Sequence, residues 1–295
     1  MEQASITAFW LALVFTALAV LFYGGYAFGV RLVLHRLATN GSGGFTVATF
    51  ERLPAWFGRL GTLAVWAAIA FLAASLFARW RATGYAPWAN MWEYTVAFAG
   101  AIMLFHAIFE RWHSQRTLGA FVTPVALALL ATSAAFFPSG VQPLVPALQS
   151  RGILAAHVGI MILSYSALSV SFGASLMYIL QGGMRNRFSR LPRSGLLDEI
   201  AYKSVIVGFP LLTLGIALGA YWGSRAWGRY WGWDPKETSI LISWLIYAGY
   251  LHIRGLRGWT GMRSVAILLV GYASILFSYF GVNLFVAGLH SYAGV

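Results

Sequence analysis

The sequence has no cysteine and little charge. Without a thiol the chain can form no disulfide, no thiolate metal site and no covalent link through its own sulfur. Charged residues make up 9% of the 295 positions against 59% hydrophobic ones, and the mean hydropathy is +0.71. Soluble chains carry about a quarter charged residues, so this composition excludes a water-soluble fold and requires a lipid solvent. Acids are scarcest, with 8 Asp and Glu against 20 Lys and Arg. In a soluble protein that excess would point to nucleic acid. In a membrane protein it reflects topology, because cytoplasmic loops collect Lys and Arg, and no nucleic-acid role is assigned. The basic start of a signal peptide is missing too: Met1-Glu2-Gln3 leads into an apolar run long for a signal core, which reads as a retained anchor.

What the chain has instead is long apolar runs. A helical span needs about 20 predominantly apolar residues. Eight such runs occur, near 5–30, 60–79, 91–110, 118–137, 152–181, 203–222, 237–253 and 264–289. The predicted fold is all-α: a polytopic integral membrane helical bundle of about eight transmembrane helices, forming one transmembrane domain over 1–295. Eight spans put both termini on one side. Arg31, Arg36, Arg52, Arg59, Arg111, Arg116, Arg185, Arg187, Arg190, Arg193, Lys203, Arg254, Arg257 and Arg263 then share one side, and Arg79, Arg81, Arg151, Arg225, Arg229 and Lys236 the other. The majority of fourteen faces the cytoplasm by the positive-inside rule, leaving both termini on the outer, periplasmic side. The expected location is multi-pass in a bacterial cytoplasmic (inner) membrane rather than a thylakoid. The gaps 31–59 and 182–202 read as basic loops, and 138–151, with three prolines, as a loop packed on the membrane surface.

A tryptophan-rich stretch joins the sixth and seventh runs, at about 220–237 on the outer side. It reads Trp222-Gly223-Ser224-Arg225-Ala226-Trp227-Gly228-Arg229-Tyr230-Trp231-Gly232-Trp233-Asp234-Pro235-Lys236-Glu237-Thr238. An aromatic belt at the membrane boundary accounts for isolated tryptophans. It does not account for the glycines at 223, 228 and 232, which let backbone approach a flat partner closely. Indole faces and edges then offer a platform for a large planar ligand. Asp234, Pro235 and Glu237 read as N-cap, N1 and N3 of a helix, with a second role open for Asp234.

Six histidines stand at 35, 106, 113, 157, 252 and 290. Imidazole is the usual axial ligand of haem iron, and two can hold it from opposite faces. His157, roughly 8 Å inside the outer end of span five, and His290, at the outer end of span eight, lie at the level of the tryptophan stretch. Together they make a candidate bis-histidine site. His252 lies at the cytoplasmic end of span seven, either as a helix-end cation or as an intramembrane ligand. His106 and His113 share one face of span three; His113 is expected in a loop, and His106 as a buried hydrogen-bonding residue or a weaker ligand. His35 falls in a basic loop without assigned role.

The run Trp227 to Thr238 resembles the signature of the WWD-domain haem-handling family, in its CcsA (ResC) type branch. The resemblance continues through Trp244-Leu245-Ile246-Tyr247 to His252, and in Gly281-Val282-Asn283-Leu284 and Gly288-Leu289-His290-Ser291-Tyr292. It is weaker in Asn90-Met91-Trp92-Glu93-Tyr94 and from Gln149 to His157 and Tyr165. Good coverage runs over about 149–295. The resemblance implies that His157 and His290 are the outer haem iron ligands, that Trp222, Trp227, Trp231, Trp233 and Asp234 hold the exposed haem, and that His252 is an inner ligand. It implies haem b as substrate and bound ligand, carried across the membrane and joined by thioether bonds to an apocytochrome c bearing Cys-Xaa-Xaa-Cys-His. It further implies a holocytochrome c synthase (haem lyase) component that works with a CcsB/ResB-type membrane subunit, with thioredoxin-like thiol reductants acting indirectly. No catalytic residue separate from haem binding is assigned. Alternatives are CcmC-like delivery of haem to a chaperone and a b-type electron-transfer protein.

Overall fold

The computed structural model describes residues 1–29, 47–141, 151–286 and 288, with side chains described from residue 55 in the second stretch and 152 in the third. The described residues contain long helices and no strand. Helix α1 (Glu2–Gly24) runs into a π-helical turn, Gly25–Gly29. Then follow α2 (Val47–Thr83), α3 (Met91–His113), α4 (Gly119–Phe136, entered through a tight turn Arg116–Leu118), α5 (Arg151–Leu180) and α6 (Ser194–Trp227). Helix α7 covers Pro235–Arg257, and α8 (Met262–Leu276) continues through a π-helical turn Phe277–Gly281 into Val282–Phe285.

Seven of these helices, all but α7, are long and apolar enough to cross a membrane. The exception, α7, has 23 residues, so it is roughly 34 Å long, but it carries Lys236, Glu237, His252, Arg254 and Arg257. Its contacts still make it run the depth of the bundle. At one end the Lys236 ammonium donates to the Asn283 amide oxygen, beyond α8. At the other, Arg254 Nη2 donates to Asp198 Oδ2 at 2.6 Å, near the start of α6. Its hydroxyls turn inward: Ser239 Oγ donates to Ser278 Oγ at 2.9 Å, and Ser274 Oγ to Ser243 Oγ at 2.8 Å. Polarity satisfied inside the bundle lets a span fall below the apolar threshold.

Helices α5 and α6 approach most closely. A Cβ on Gly208 would lie 2.8 Å from Leu168, one on Gly215 2.4 Å from Met161 Sδ, and one on Gly219 2.6 Å from His157 Cε1. Small residues let helix backbones meet where lipid offers no hydrophobic drive.

Polar clusters pin both ends. At the end holding the tryptophans, the fully buried Arg79 faces the fully buried Glu93 at 3.6 Å, lies 4.5 Å over the Trp92 ring and donates to the Ser139 carbonyl at 2.6 Å. At the opposite end Glu110 accepts from the Tyr23 hydroxyl and from Thr62 Oγ1 at 2.6 Å, with His106 Nε2 at 3.3 Å and Arg116 Nε at 3.7 Å. That cluster ties α1, α2, α3 and the entry to α4.

Three expectations need correction. Helix α2 starts at Val47 rather than near 60. Helix α6 starts at Ser194, within the expected 182–202 loop, and runs to Trp227, so Trp222 and Trp227 are helical and the loop proper is only Gly228 to Trp233. His113 is not in a loop: it closes α3, its ring stacked on Phe109 at 5.7 Å and 14°.

Candidate functional site

The site is built from the loop upward. Gly228, at φ +72°, ends α6 in the left-handed conformation that glycine adopts without strain. Asp234 then starts α7 as a full capping box. Its Oδ2 accepts from the Lys236 N–H at 3.0 Å, while Glu237 Oε2 accepts from the N–H groups of Gly232 and Asp234 at 2.8 and 3.1 Å. The glycines serve the loop itself: a Cβ on Gly232 would meet Arg229 Nε at 2.7 Å, and one on Gly223 the Arg229 carbonyl at 3.3 Å. Their placement therefore follows from local packing and requires no planar partner.

The tryptophans occupy different layers. Trp222 is buried, 1% exposed, and meets Trp227 edge-on at 4.6 Å. Trp231 is half-buried and stands edge-on to Trp233 at 5.9 Å, and Trp233, 69% exposed at a φ of +56°, points away from the bundle.

Beneath the loop lies an open pocket, about 850 Å³ including the part open to solvent, between the starts of α3, α5 and α7 and the ends of α6 and α8. Trp88, Trp222 and His157 line it; behind them are Tyr165 and Tyr94, the latter stacked on Tyr279 at 5.2 Å and 26°. A second cavity of about 490 Å³ shares His157, Met161, Tyr165 and Lys236 with the first and adds Trp231 and Glu237.

His157 Nδ1 lies 2.8 Å from the Gly215 carbonyl oxygen. A carbonyl only accepts, so Nδ1 carries the proton and Nε2 the lone pair. That is the second-sphere arrangement which orients a histidine for iron. Lys236 stands beside it, half-buried, ahead of the apolar part of α7. Burial pushes its ammonium down to about 8, with the Asp234 charge opposing. Among the described residues no carboxylate oxygen comes within 4.0 Å of its Nζ.

The remaining candidates are spread out. His252 is on the exposed face of α7 with Ile242, Leu245 and Leu256, sixteen residues from Lys236 and so roughly 24 Å along the axis. His106 is fully buried against Tyr23 and Glu110 and lines neither cavity. His290 and His35 lie outside the described residues. Gly288 is described and stands against Asp234, where a Cβ would fall 2.5 Å from Oδ1. Of the predicted haem-holding residues, His157 and Trp222 line the larger cavity and His157 and Trp231 the smaller; Trp227, Trp233 and Asp234 line neither.

Residues 88–290 match the family model described as cytochrome C assembly protein. The chain belongs to that family. Within it, the chain is of the CcsA type. It is 34% identical to the cytochrome c biogenesis protein CcsA of Trichormus variabilis, over 83% of this chain and 91% of that one. It is also 34% identical to the CcsA proteins of Synechococcus elongatus (84% and 90% covered) and Gloeobacter violaceus (83% and 89%). Among solved structures, a protein titled cytochrome c heme lyase CcmF superposes with a TM-score of 0.64 at 20% identity, over 95% of this chain and 46% of that one. The chain spans about half the length of that protein, and the likeness shows a common fold.

Sequence reasoning gave no site role to most of the cavity wall: Trp88, Tyr94, Tyr279 and above all Lys236, which was read as an outer-side charge within the signature run. One signal for Lys236 was available. A cation in the first turn of a helix opposes the macrodipole, and residues placed against a cost merit a functional reading.

Proposed function

We propose that this chain binds haem at the tryptophan-loop end and presents it for covalent attachment to an apocytochrome c. The observation that carries the reading is His157. Its imidazole sits in the wall of an open, aromatic-lined pocket with the proton pinned on Nδ1, in a chain of a cytochrome c assembly family. The cavity fits the substrate chemically, offering flat aromatic surface for a macrocycle, an imidazole for iron and a cation. His290 is the second iron ligand in this reading, and Gly288 beside Asp234 brings the chain within two residues of it. Trp222 and Trp231 contact the ring from the two cavities, Trp227 backs Trp222, Trp233 forms the outer rim, and the buried Asp234 holds the loop through its helix cap. The protein's part is positioning: holding iron and ring while the vinyl edge stays reachable by two thiols of Cys-Xaa-Xaa-Cys-His. Each S–H adds across a vinyl group and nothing leaves, so no oxidant is needed.

The finer proposals follow from the same reading. The tryptophan-loop end faces the outer side of a bacterial cytoplasmic membrane, with both termini there and the whole chain acting as one transmembrane domain. Haem b arrives from the other side by way of His252. The exposure of that imidazole on the bundle surface favours a second ligand from a CcsB/ResB-type subunit, and thioredoxin-like reductants keep the acceptor thiols reduced. Relatives named as cytochrome c biogenesis proteins, and a fold neighbour titled a haem lyase, support a synthase component.

A visible absorption spectrum of the purified protein tests this. A low-spin bis-histidine haem spectrum is expected, lost or altered in His157→Ala and His290→Ala together with cytochrome maturation, and unchanged in His35→Ala. Folded protein without haem, with or without a CcsB/ResB-type partner, would refute the reading.

A further inference from the structure

Lys236 lines both cavities beside His157, and the reading so far gives its charge no specific partner. Resting on that reading, we propose that Lys236 anchors a carboxylate of the bound macrocycle and so fixes which edge of the ring faces the acceptor.

Three other cations at this end have contacts of their own. Arg79 faces Glu93, Arg225 Nη2 donates to the Tyr221 hydroxyl at 2.9 Å, and Arg229 lies over Gly232. Lys236 is the cation that lines the two cavities. Its ammonium has three donors, and the Asn283 amide oxygen accepts one. Asn283 is itself oriented, its Nδ2 donating to Met91 Sδ at 3.4 Å. The lysine is held at the cavity by a neutral acceptor. The acids near it, Asp234 and Glu237, accept the backbone N–H groups of the capping box, and the Asp234 charge acts on the ammonium without forming an ion pair with it within 4.0 Å. A half-buried ammonium with a neutral partner, placed where the helix dipole also disfavours it, is matched by an arriving anion, which gains a charge-assisted hydrogen bond in a poorly hydrated site. Haem carries its two carboxylates on one edge and its vinyl groups away from them. Binding the carboxylate edge at Lys236 therefore turns the vinyl edge away from it, where thiols must reach.

The test compares haem with its dimethyl ester, in which both carboxylates are blocked, titrated into the full chain in detergent and followed by the His157-dependent absorption. Wild type is expected to bind haem roughly tenfold or more tightly than the ester, the scale of one charged hydrogen bond. Lys236→Gln should bring haem down to the affinity of the ester and leave the ester unchanged, and Lys236→Arg should keep most of the preference. Equal binding of both by wild type, or a preference that survives Lys236→Gln, would overturn the proposal while leaving the haem reading intact. Wild type taking up neither would defeat both. Should Lys236→Gln lose its cooperative melting, Asn283→Asp decides. It keeps the lysine but gives it an internal carboxylate, so loss of the preference supports the anchor and its retention overturns it.

Discussion

At the scale of single residues, His157 depends on α6 for both its tautomer and its position. The Gly215 carbonyl fixes the proton on Nδ1, and Gly219 makes room for the ring. A methyl group on Gly219 would stand 2.6 Å from Cε1 and 2.9 Å from Nδ1, closer than real carbon contacts, so the imidazole would have to turn and break its hydrogen bond. Loss of such a second-sphere bond weakens metal binding roughly 10–100-fold. Gly219→Ala is therefore expected to lower haem affinity by about that factor and to shift the spectrum. Gly249→Ala, with nothing within 4 Å of the new carbon, should behave as wild type. Unchanged haem titration in Gly219→Ala would remove His157 from the site. The place of His157 beside Trp222 was legible in the sequence because both were read at the outer ends of their helices. Lys236 was not, because its meaning depends on α5 and α8 closing a cavity around it, and no spacing along one strand of sequence encodes that.

Helix ends decide what the loop can do. Asp234, Pro235 and Glu237 read correctly as a capped helix start because that signal is local: one side chain, the next few N–H groups and a returning carboxylate. Asp234→Ala should cost about 0.5–2 kcal/mol, seen as a lower melting temperature in detergent. Asp234→Asn, which still accepts from the Lys236 N–H, should recover most of it. If both variants melt alike, the cap is not what Asp234 contributes. The end of α6 was read too early for the complementary reason. Trp222 to Trp227 is aromatic and polar enough to look like loop, yet nothing in it breaks a helix before Gly228. The helix α7 was legible despite its polarity because 237–253 still reads as an apolar run. Its serines are satisfied within the bundle, by Ser278 and Ser274.

Across the whole molecule, two buried charge clusters hold the ends while the proposed haem steps lie at different depths. Arg79 and Glu93 are both fully buried, and removing one partner of such a pair leaves an uncompensated charge, a loss of about 3–5 kcal/mol. Arg79→Ala should melt far below wild type, and Arg79→Ala with Glu93→Gln should recover part of the difference. His252 is the opposite case. It is exposed on α7 among apolar side chains, so within this chain its removal uncovers nothing, and surface substitutions stay within about 0.5 kcal/mol. It is also roughly 24 Å along the helix from Lys236, too far to touch a ring ligated by His157. A histidine that is neither buried nor near the outer site can matter to haem only if something outside this chain completes its coordination. His252→Ala is therefore expected to leave the melting temperature of the isolated chain unchanged. Haem added directly to the outer site should give the wild-type spectrum. In cells that also express a CcsB/ResB-type subunit, by contrast, the same variant should reach the membrane folded but carry little haem and mature little cytochrome c. A loss of added haem from the isolated variant would place His252 in the outer site after all, and normal haem loading beside the partner would show that haem reaches the cavity by another route.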